Sequence, residues 1–456
     1  MKRWLRFDDL FPYTNMGNEA EDCVNTLHRS ASASCPRSEV WGTIRACCVV
    51  GVEDIPVPDQ LKSAKQIVTF TIFLDLLGFG LIIPQLQYYA DAFHATPAFI
   101  GMVQAIYSLM QFLFAPFWGK LSDRVGRRPV LLVSIAGSAL SYVLFALAHD
   151  AWTIFFSRML AGITAANLSA AQAYLSDITP PQERTRAMGL IGAAFGVGFI
   201  LGPAVGGVLG AWGGNFAIGM AGAVLAGLNW LSAFFRLPES LPAHSRRLTG
   251  EWYAFPLREL PRVLAMPHVG LLAVVLFTAI FAIANLESTF VLLAKHRYGL
   301  DQRECGYLFA YLGLLGVLVQ GILVGKLSTH FGETRLVLAG YLLQAPALLL
   351  IPFAPTVGWL VAVLAVMALG GGIAGPSLNG LLSRLAPADR RGEVFGVTQS
   401  LGSLARVVGP AWGGWSFGHL GMSAPYVSAA LLMLLAGAMV AWWLTSLTST
   451  VPASRR

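Results

Sequence analysis

Twelve apolar windows of about 20 residues apiece, the length that carries a helix across about 30 Å of hydrocarbon, constrain this chain more than any other feature. They run over 66–90, 97–118, 129–148, 151–176, 186–211, 215–235, 268–294, 305–325, 335–354, 357–383, 393–418 and 422–446. Each should be helical, because in hydrocarbon a backbone N–H or C=O must find its partner within the segment or in a closed barrel. The alternating ten-residue pattern of a barrel is absent. Composition agrees: charged residues make up 12% and apolar residues 55%, against about 25% charged in an average soluble domain. The fold class that follows is an all-α membrane protein with twelve transmembrane helices.

Basic residues set the orientation. With the segments before odd-numbered windows assigned to the cytoplasm, 18 Lys and Arg fall inside and three fall outside, Lys295, Arg297 and Arg303. By the positive-inside rule both termini are then cytoplasmic, and the chain is a multi-pass protein of the inner (plasma) membrane. The formal charge of +7 reports topology and attraction to anionic lipid rather than a nucleic-acid surface. The first 65 residues stand apart: they are polar, hold Cys23, Cys35, Cys47 and Cys48, and contain no apolar run long enough for a signal peptide. Their cysteines match no zinc spacing, so 1–65 reads as a disordered or mis-called N-terminal extension. Only Cys305 lies in the apolar body, so no disulfide framework is implied. No metal, cofactor or catalytic-triad spacing appears, and Leu327 in Gly325-Lys326-Leu327-Ser328 spoils a phosphate loop. An enzyme is not expected.

The chain repeats itself. Residues 376–414 read as a weak copy of 169–207: Ser176-Asp177 returns as Ser383-Arg384, and Gly202-Pro203-Ala204-Val205-Gly206-Gly207 as Gly409-Pro410-Ala411-Trp412-Gly413-Gly414. Gly119-Lys120-Leu121-Ser122 returns as Gly325-Lys326-Leu327-Ser328, and the offset is 206 or 207 throughout. Two pseudo-symmetric six-helix bundles are expected, 66–237 and 267–447, joined by a cytoplasmic linker over 238–266 and followed by a tail, 448–456. Parallel repeats of this kind hold substrate near the midplane between the halves.

Between the second and third windows lies Gly119-Lys120-Leu121-Ser122-Asp123-Arg124-Val125-Gly126-Arg127-Arg128-Pro129, too short for a domain and too charged for lipid. Gly126 can take the positive φ of a turn, Gly119 can permit close helix approach, and Asp123 can accept from arginine or from a helix N-terminus. The pattern, with Ala115-Pro116-Phe117-Trp118 before it, resembles the signature loop of major facilitator superfamily transporters. The resemblance implies a gate that docks on the neighbouring half when the transporter faces outward, with Asp123 as latch and Arg124, Arg127 and Arg128 as its partners. In the second half Thr329 replaces Asp123, and Glu333-Thr334 replaces Arg127-Arg128. The latch is therefore expected on one side only. The alternative is a purely topogenic loop.

Four charges sit inside windows, where each costs about 2.5–3.5 kcal/mol or more: Asp75, Arg158, Glu287 and Arg406. Two acids and two bases suggest partners in a shared cavity. Asp75, in Leu74-Asp75-Leu76-Leu77-Gly78-Phe79-Gly80-Leu81-Ile82-Ile83-Pro84, resembles the first-span motif of drug:proton antiporters, including the tetracycline exporters. It reads as a proton or substrate carboxylate, or alternatively as a static partner of Arg158. Arg158 resembles the fourth-span arginine that tunes a nearby carboxylate in the family. Glu287 resembles the seventh-span acid of multidrug exporters, unless it is merely peripheral. Arg406, where the first half has Phe199, is a further candidate.

Gly196-Val197-Gly198-Phe199-Ile200-Leu201-Gly202-Pro203-Ala204-Val205-Gly206-Gly207 resembles the fifth-span motif of the superfamily's antiporters, with Gly198, Gly202, Pro203, Gly206 and Gly207 as its marks. Glycines flatten one face of such a helix, and a proline kinks it. Over 66–447 the chain thus resembles a monomeric twelve-span drug:proton antiporter that exchanges small amphipathic molecules for protons across the bilayer. A metabolite exporter for sugars or amino acids, or a non-transporting receptor or scaffold, are the alternatives. The third-span acid of tetracycline exporters is missing, with Ser138, Ser141 and Tyr142 in that region, which favours a broader or different substrate.

Overall fold

The first helix starts at Pro58, ahead of the apolar window that announces it at residue 66. The computed structural model describes residues 58–449 apart from 94, 166, 180–183, 242–257, 388 and 389. Most of the N-terminal extension with its four cysteines, most of the linker and the end of the tail lie outside the described residues. Pro58 to Lys65 belong to the first helix, a stretch that hydropathy does not mark because it is not apolar.

The helices are α1 (Pro58–Ala92), α2 (Pro97–Val125), α3 (Arg127–Ala146), α4 (Ala151–Thr164), α5 (Asn167–Ile178), α6 (Arg184–Arg236), α7 (Leu260–Leu264), α8 (Val269–Tyr298), α9 (Gln302–Leu318), α10 (Val324–Phe331), α11 (Glu333–Leu350), α12 (Val357–Leu385), α13 (Arg391–His419) and α14 (Ala424–Ser449). A π-helical turn, Val319–Leu323, joins α9 to α10. Local chemistry fixes the starts. Thr96 accepts from the Phe99 N–H ahead of α2, Asp150 accepts from the Thr153 N–H at α4, and Asp301 with Glu304 forms a reciprocal capping box on α9. Gly126 (φ 114°) and Gly332 (φ 79°) make the two equivalent tight turns, α2 to α3 and α10 to α11.

Among the described residues, nine stretches are long and apolar enough to cross a membrane. The other three expected spans differ for physical reasons. The fourth is broken into α4 and α5 near Ala165, and the fifth and sixth form one helical run that turns at Gly213 and Gly214. The eleventh, α13, keeps Arg391, Glu393, Gln399 and Arg406 along its length. The fold class read from the sequence is the one observed.

The first half packs α1 against both limbs of α6, and α3 against α4 and α6. Its apolar core falls into two clusters. One surrounds Ile72, Leu131 and Tyr174, towards the end that bears Gly119–Pro129, called here the basic end. The other surrounds Ile82, Phe145 and Ile154, towards the opposite, far end. In the second half one continuous core runs through α8, α9, α11, α12, α13 and α14.

The halves meet most extensively along two helix pairs, α2 with α13 and α6 with α9, with α1 also reaching α8. Both seams are built from glycine against backbone near the far end. Gly101 of α2 lies on Pro410 and Gly414 of α13, and Gly306 of α9 lies on Pro203 and Gly207 of α6. These contacts are related by the same internal repeat, so the seams are two copies of one arrangement.

Candidate functional site

Arg158 from α4, Glu287 from α8 and Arg406 from α13 line one cavity between the halves. The remaining wall is Phe79, Ile82 and Leu86 of α1, Val103, Gln104, Tyr107 and Ser108 of α2, Ala284 of α8 and Pro410 of α13. The cavity is narrow in this conformation, about 40 Å³, room for no more than a few water molecules. Arg158 is 6% exposed. Its terminal NH2 group donates to Ser157 Oγ at 3.4 Å, its guanidinium lies 5.6 Å from the Phe145 ring centre, and its Nε has no hydrogen-bond partner among the described residues. The Gln104 amide nitrogen is likewise buried without one. Glu287 and Arg406 attract each other across the space. Glu287 is thus not peripheral: it sits more than two turns inside the end of α8 and faces the cavity.

Asp75 does not share this cavity, contrary to the expectation of one site for all four charges. It lines a second, smaller pocket inside the first half, with Gly78, Tyr142, Gly222, Ala226 and Asn229. The reason is the next turn of α1. Phe79 meets the Tyr107 ring at 5.3 Å between centres and closes the central cavity on the side towards Asp75. Tyr142 fills the room left by Gly78 and Gly222, where any side chain would strike its ring. Tyr107 lines the central cavity with Arg158, and Tyr142 lines the smaller pocket with Asp75. At the floor of this pocket Thr71 donates to Asn229 Oδ1 at 3.1 Å.

The fifth-span motif faces two ways. Gly198, Gly202 and Gly206 lie against α1, at Leu76 and Leu77, at Gly80 and at Leu81 respectively. Pro203 and Gly207 form the seam with α9 described above. One short glycine-rich stretch therefore packs the Asp75 helix on one side and the second half on the other.

At the basic end Arg127 donates to Asp123 at 2.6 Å, to Asp177 of α5 at 3.2 Å and to Ser122 Oγ at 2.6 Å. Arg128 donates to the Phe234 carbonyl at 2.7 Å. Gly119 does not serve close packing, since a Cβ there would meet nothing within 4 Å; its carbonyl accepts from Ser122 Oγ at 2.7 Å. Gly126 makes the turn as expected. Sequence reasoning missed Glu239, beyond the end of α6. Its carboxylate accepts the N–H groups of Arg127 at 2.8 Å, Arg128 at 3.3 Å, Ser240 at 3.0 Å and Leu241 at 3.1 Å.

The second half has no counterpart of Asp123 but carries a related ion pair. Glu333, at the place of Arg127, pairs with Arg384, at the place of Asp177, at 3.1 Å. The ion pair is kept with its polarity inverted. This also accounts for Thr329: an aspartate at that place, like Asp123, would repel Glu333 as strongly as Asp123 attracts Arg127.

Two helical halves with a charged cavity and glycine seams between them define a secondary transporter of the parallel-repeat type. Family comparison gives its place: the Major Facilitator Superfamily model matches residues 68–410 and again 315–456, and the chain belongs to that superfamily. It is 36% identical to the tetracycline resistance protein, class C, of Escherichia coli over 358 residues, covering 76% of this chain and 88% of the relative. It is 29% identical to multidrug resistance protein 2 of Bacillus subtilis (strain 168), covering 84% and 96%. The crystal structure of the human organic anion transporter MFSD10 (TETRAN) superposes with a TM-score of 0.64 at 26% identity, covering 84% of this chain and all of that one. The chain is a multi-pass membrane transporter rather than an enzyme.

Proposed function

We propose that this protein exports small, amphipathic drug-like molecules in exchange for protons by alternating access. The observation that supports the reading best is the convergence of Arg158, Glu287 and Arg406, from both halves, on one aromatic-walled cavity. Charges are kept at such depth when they bind substrate or relay protons, because each is costly in hydrocarbon. Glu287 is the carboxylate exposed to the substrate space, Asp75 is the one shielded behind Phe79, and Arg158 and Arg406 tune them. The tetracycline and multidrug resistance relatives support export of drugs. With the basic end in the cytoplasm, both termini are cytoplasmic, and the protein works as a monomer in the inner membrane. Re-entry of a proton supplies about 2.3 kcal/mol per 100 mV, together with the pH gradient.

The test is pH-gradient-driven transport of ethidium and of tetracycline in everted vesicles, with Asp75→Asn and Glu287→Gln beside wild type. Each substitution should reduce gradient-dependent transport at least tenfold at unchanged membrane abundance. Transport that survives both substitutions overturns the coupling assignment. The absence of gradient-driven flux of any amphipathic probe overturns the exchange reading itself.

A further inference from the structure

Gln87, three turns beyond Asp75 on α1, is wholly buried. Its side-chain amide reaches across the boundary between the halves to two backbone groups of α8. Nε2 donates to the Glu287 carbonyl at 2.8 Å, and Oε1 accepts from the Leu292 N–H at 3.1 Å. A single planar amide that donates to one backbone group and accepts from another, five residues along, fixes the axial register of α8 as well as its distance from α1.

The stretch of α8 that it grips carries two hydroxyls that bond back to the helix backbone. Ser288 Oγ and Thr289 Oγ1 both donate to the Asn285 carbonyl, at 2.8 and 3.0 Å, and back-bonding of this kind competes with the helix ladder and bends helices. Glu287 lies inside that stretch. The neighbouring Tyr88 makes a different contact, from its hydroxyl to the Leu300 carbonyl at 2.6 Å, beyond the end of α8. Two successive residues of α1 thus divide the work: Tyr88 ties down the chain after α8, and Gln87 ties down the helix around the cavity acid.

We propose that Gln87 is a positioning residue of the transport cycle, holding the Glu287 segment of α8 in its cavity-facing register while the far end is sealed and releasing it when that end opens. The surroundings of the Glu287 carboxylate then change with the seal, through a backbone contact that carries no charge. The inference rests on the alternating-access reading above, but its test does not depend on the substrate. Spin labels at positions 152 and 422, exposed at the far ends of the two halves, report the seal by pulsed dipolar spectroscopy in full-length protein freed of its five native cysteines. Modification of Glu287 by dicyclohexylcarbodiimide, read by mass spectrometry of its peptide, reports the carboxylate.

Gln87→Leu should shift the label distances towards the longer population at least fivefold and change the Glu287 modification rate at least threefold. Tyr88→Phe, which leaves the Gln87 bonds in place, should loosen the seal and change Glu287 reactivity only in proportion to the opening that its label distances report. Gln87→Met, which keeps length and apolar packing, stands in if the Leu variant does not fold. Equal Glu287 reactivity in the Gln87 and Tyr88 variants at matched opening overturns the positioning role, and so does a Gln87 variant that moves neither readout. Failure of the exchange reading would show separately, as missing gradient-driven flux in wild-type vesicles with both readouts intact.

Discussion

Removing the carboxylate of Glu239 should destabilise the whole basic end, although the residue lies outside the signature loop. α3 begins at Arg127 directly after Gly126, which has no side chain to cap it. The first two N–H groups of the helix instead find the Glu239 carboxylate, at 2.8 Å from Arg127 and 3.3 Å from Arg128. Loss of an N-cap costs about 0.5–2 kcal/mol, and an anion at a helix N-terminus adds about 0.3–1 kcal/mol. Glu239→Ala should therefore cost about 1–3 kcal/mol, while Glu239→Gln, which keeps one acceptor oxygen, should cost about half of that. Thermal unfolding of purified protein in detergent measures it: at about 2–4 °C per kcal/mol for a large domain, the Glu239→Ala variant should melt several degrees below wild type. Glu259→Ala is the control, because that carboxylate holds an exposed i,i+3 pair with Arg262, worth about 0–1 kcal/mol. A Glu239→Ala melting curve that overlays wild type would refute the distant-cap argument.

Other consequences follow from the repeat. Arg127→Glu alone should cost about 1–3 kcal/mol by placing three carboxylates together, and adding Asp177→Arg with Asp123→Thr should recover at least half of the lost melting temperature, because the triple change copies the Thr329, Glu333 and Arg384 pattern. A triple variant no better than the single one would show that the inverted pair depends on other residues of the second half. Asp123→Asn should slow transport severalfold while leaving membrane insertion intact; unchanged transport would reduce the loop to a topology signal. Gly306→Val should force the far-end seam apart at Pro203, seen as increased alkylation of the neighbouring buried Cys305, whereas Gly321→Val, where a Cβ meets nothing within 4 Å, should leave alkylation as it is.

The parts of this design that are legible in the sequence are those written as composition or as spacing along the chain. Arg158, Glu287 and Arg406 stand out because a charge in an apolar run is visible on its own. The fifth-span glycines stand out because their four-residue spacing marks a helix face. Glu239 and Gln87 are not legible, because each acts on backbone groups far away in sequence, and a lone Glu after a helix or a lone Gln near a span end carries no local signal. The Glu333–Arg384 pair lies between these cases. Both residues align with Arg127 and Asp177, yet reading one half as a decayed copy hides the exchange of signs. Asp75 falls to the central cavity on sequence grounds because spacing gives its helix face but not the Phe79–Tyr107 ring pair that closes the cavity above it.

The twin seams bear on how fast such a machine can turn over. Interlocked side chains must leave their wells one by one when two surfaces separate, and each departure adds friction. Gly101 on Pro410 and Gly306 on Pro203 present nearly smooth faces with no teeth to disengage. Each half can then tilt as a rigid body, and the timing of the stroke passes to the few directional bonds that straddle the boundary, those of Gln87 and Tyr88 among them.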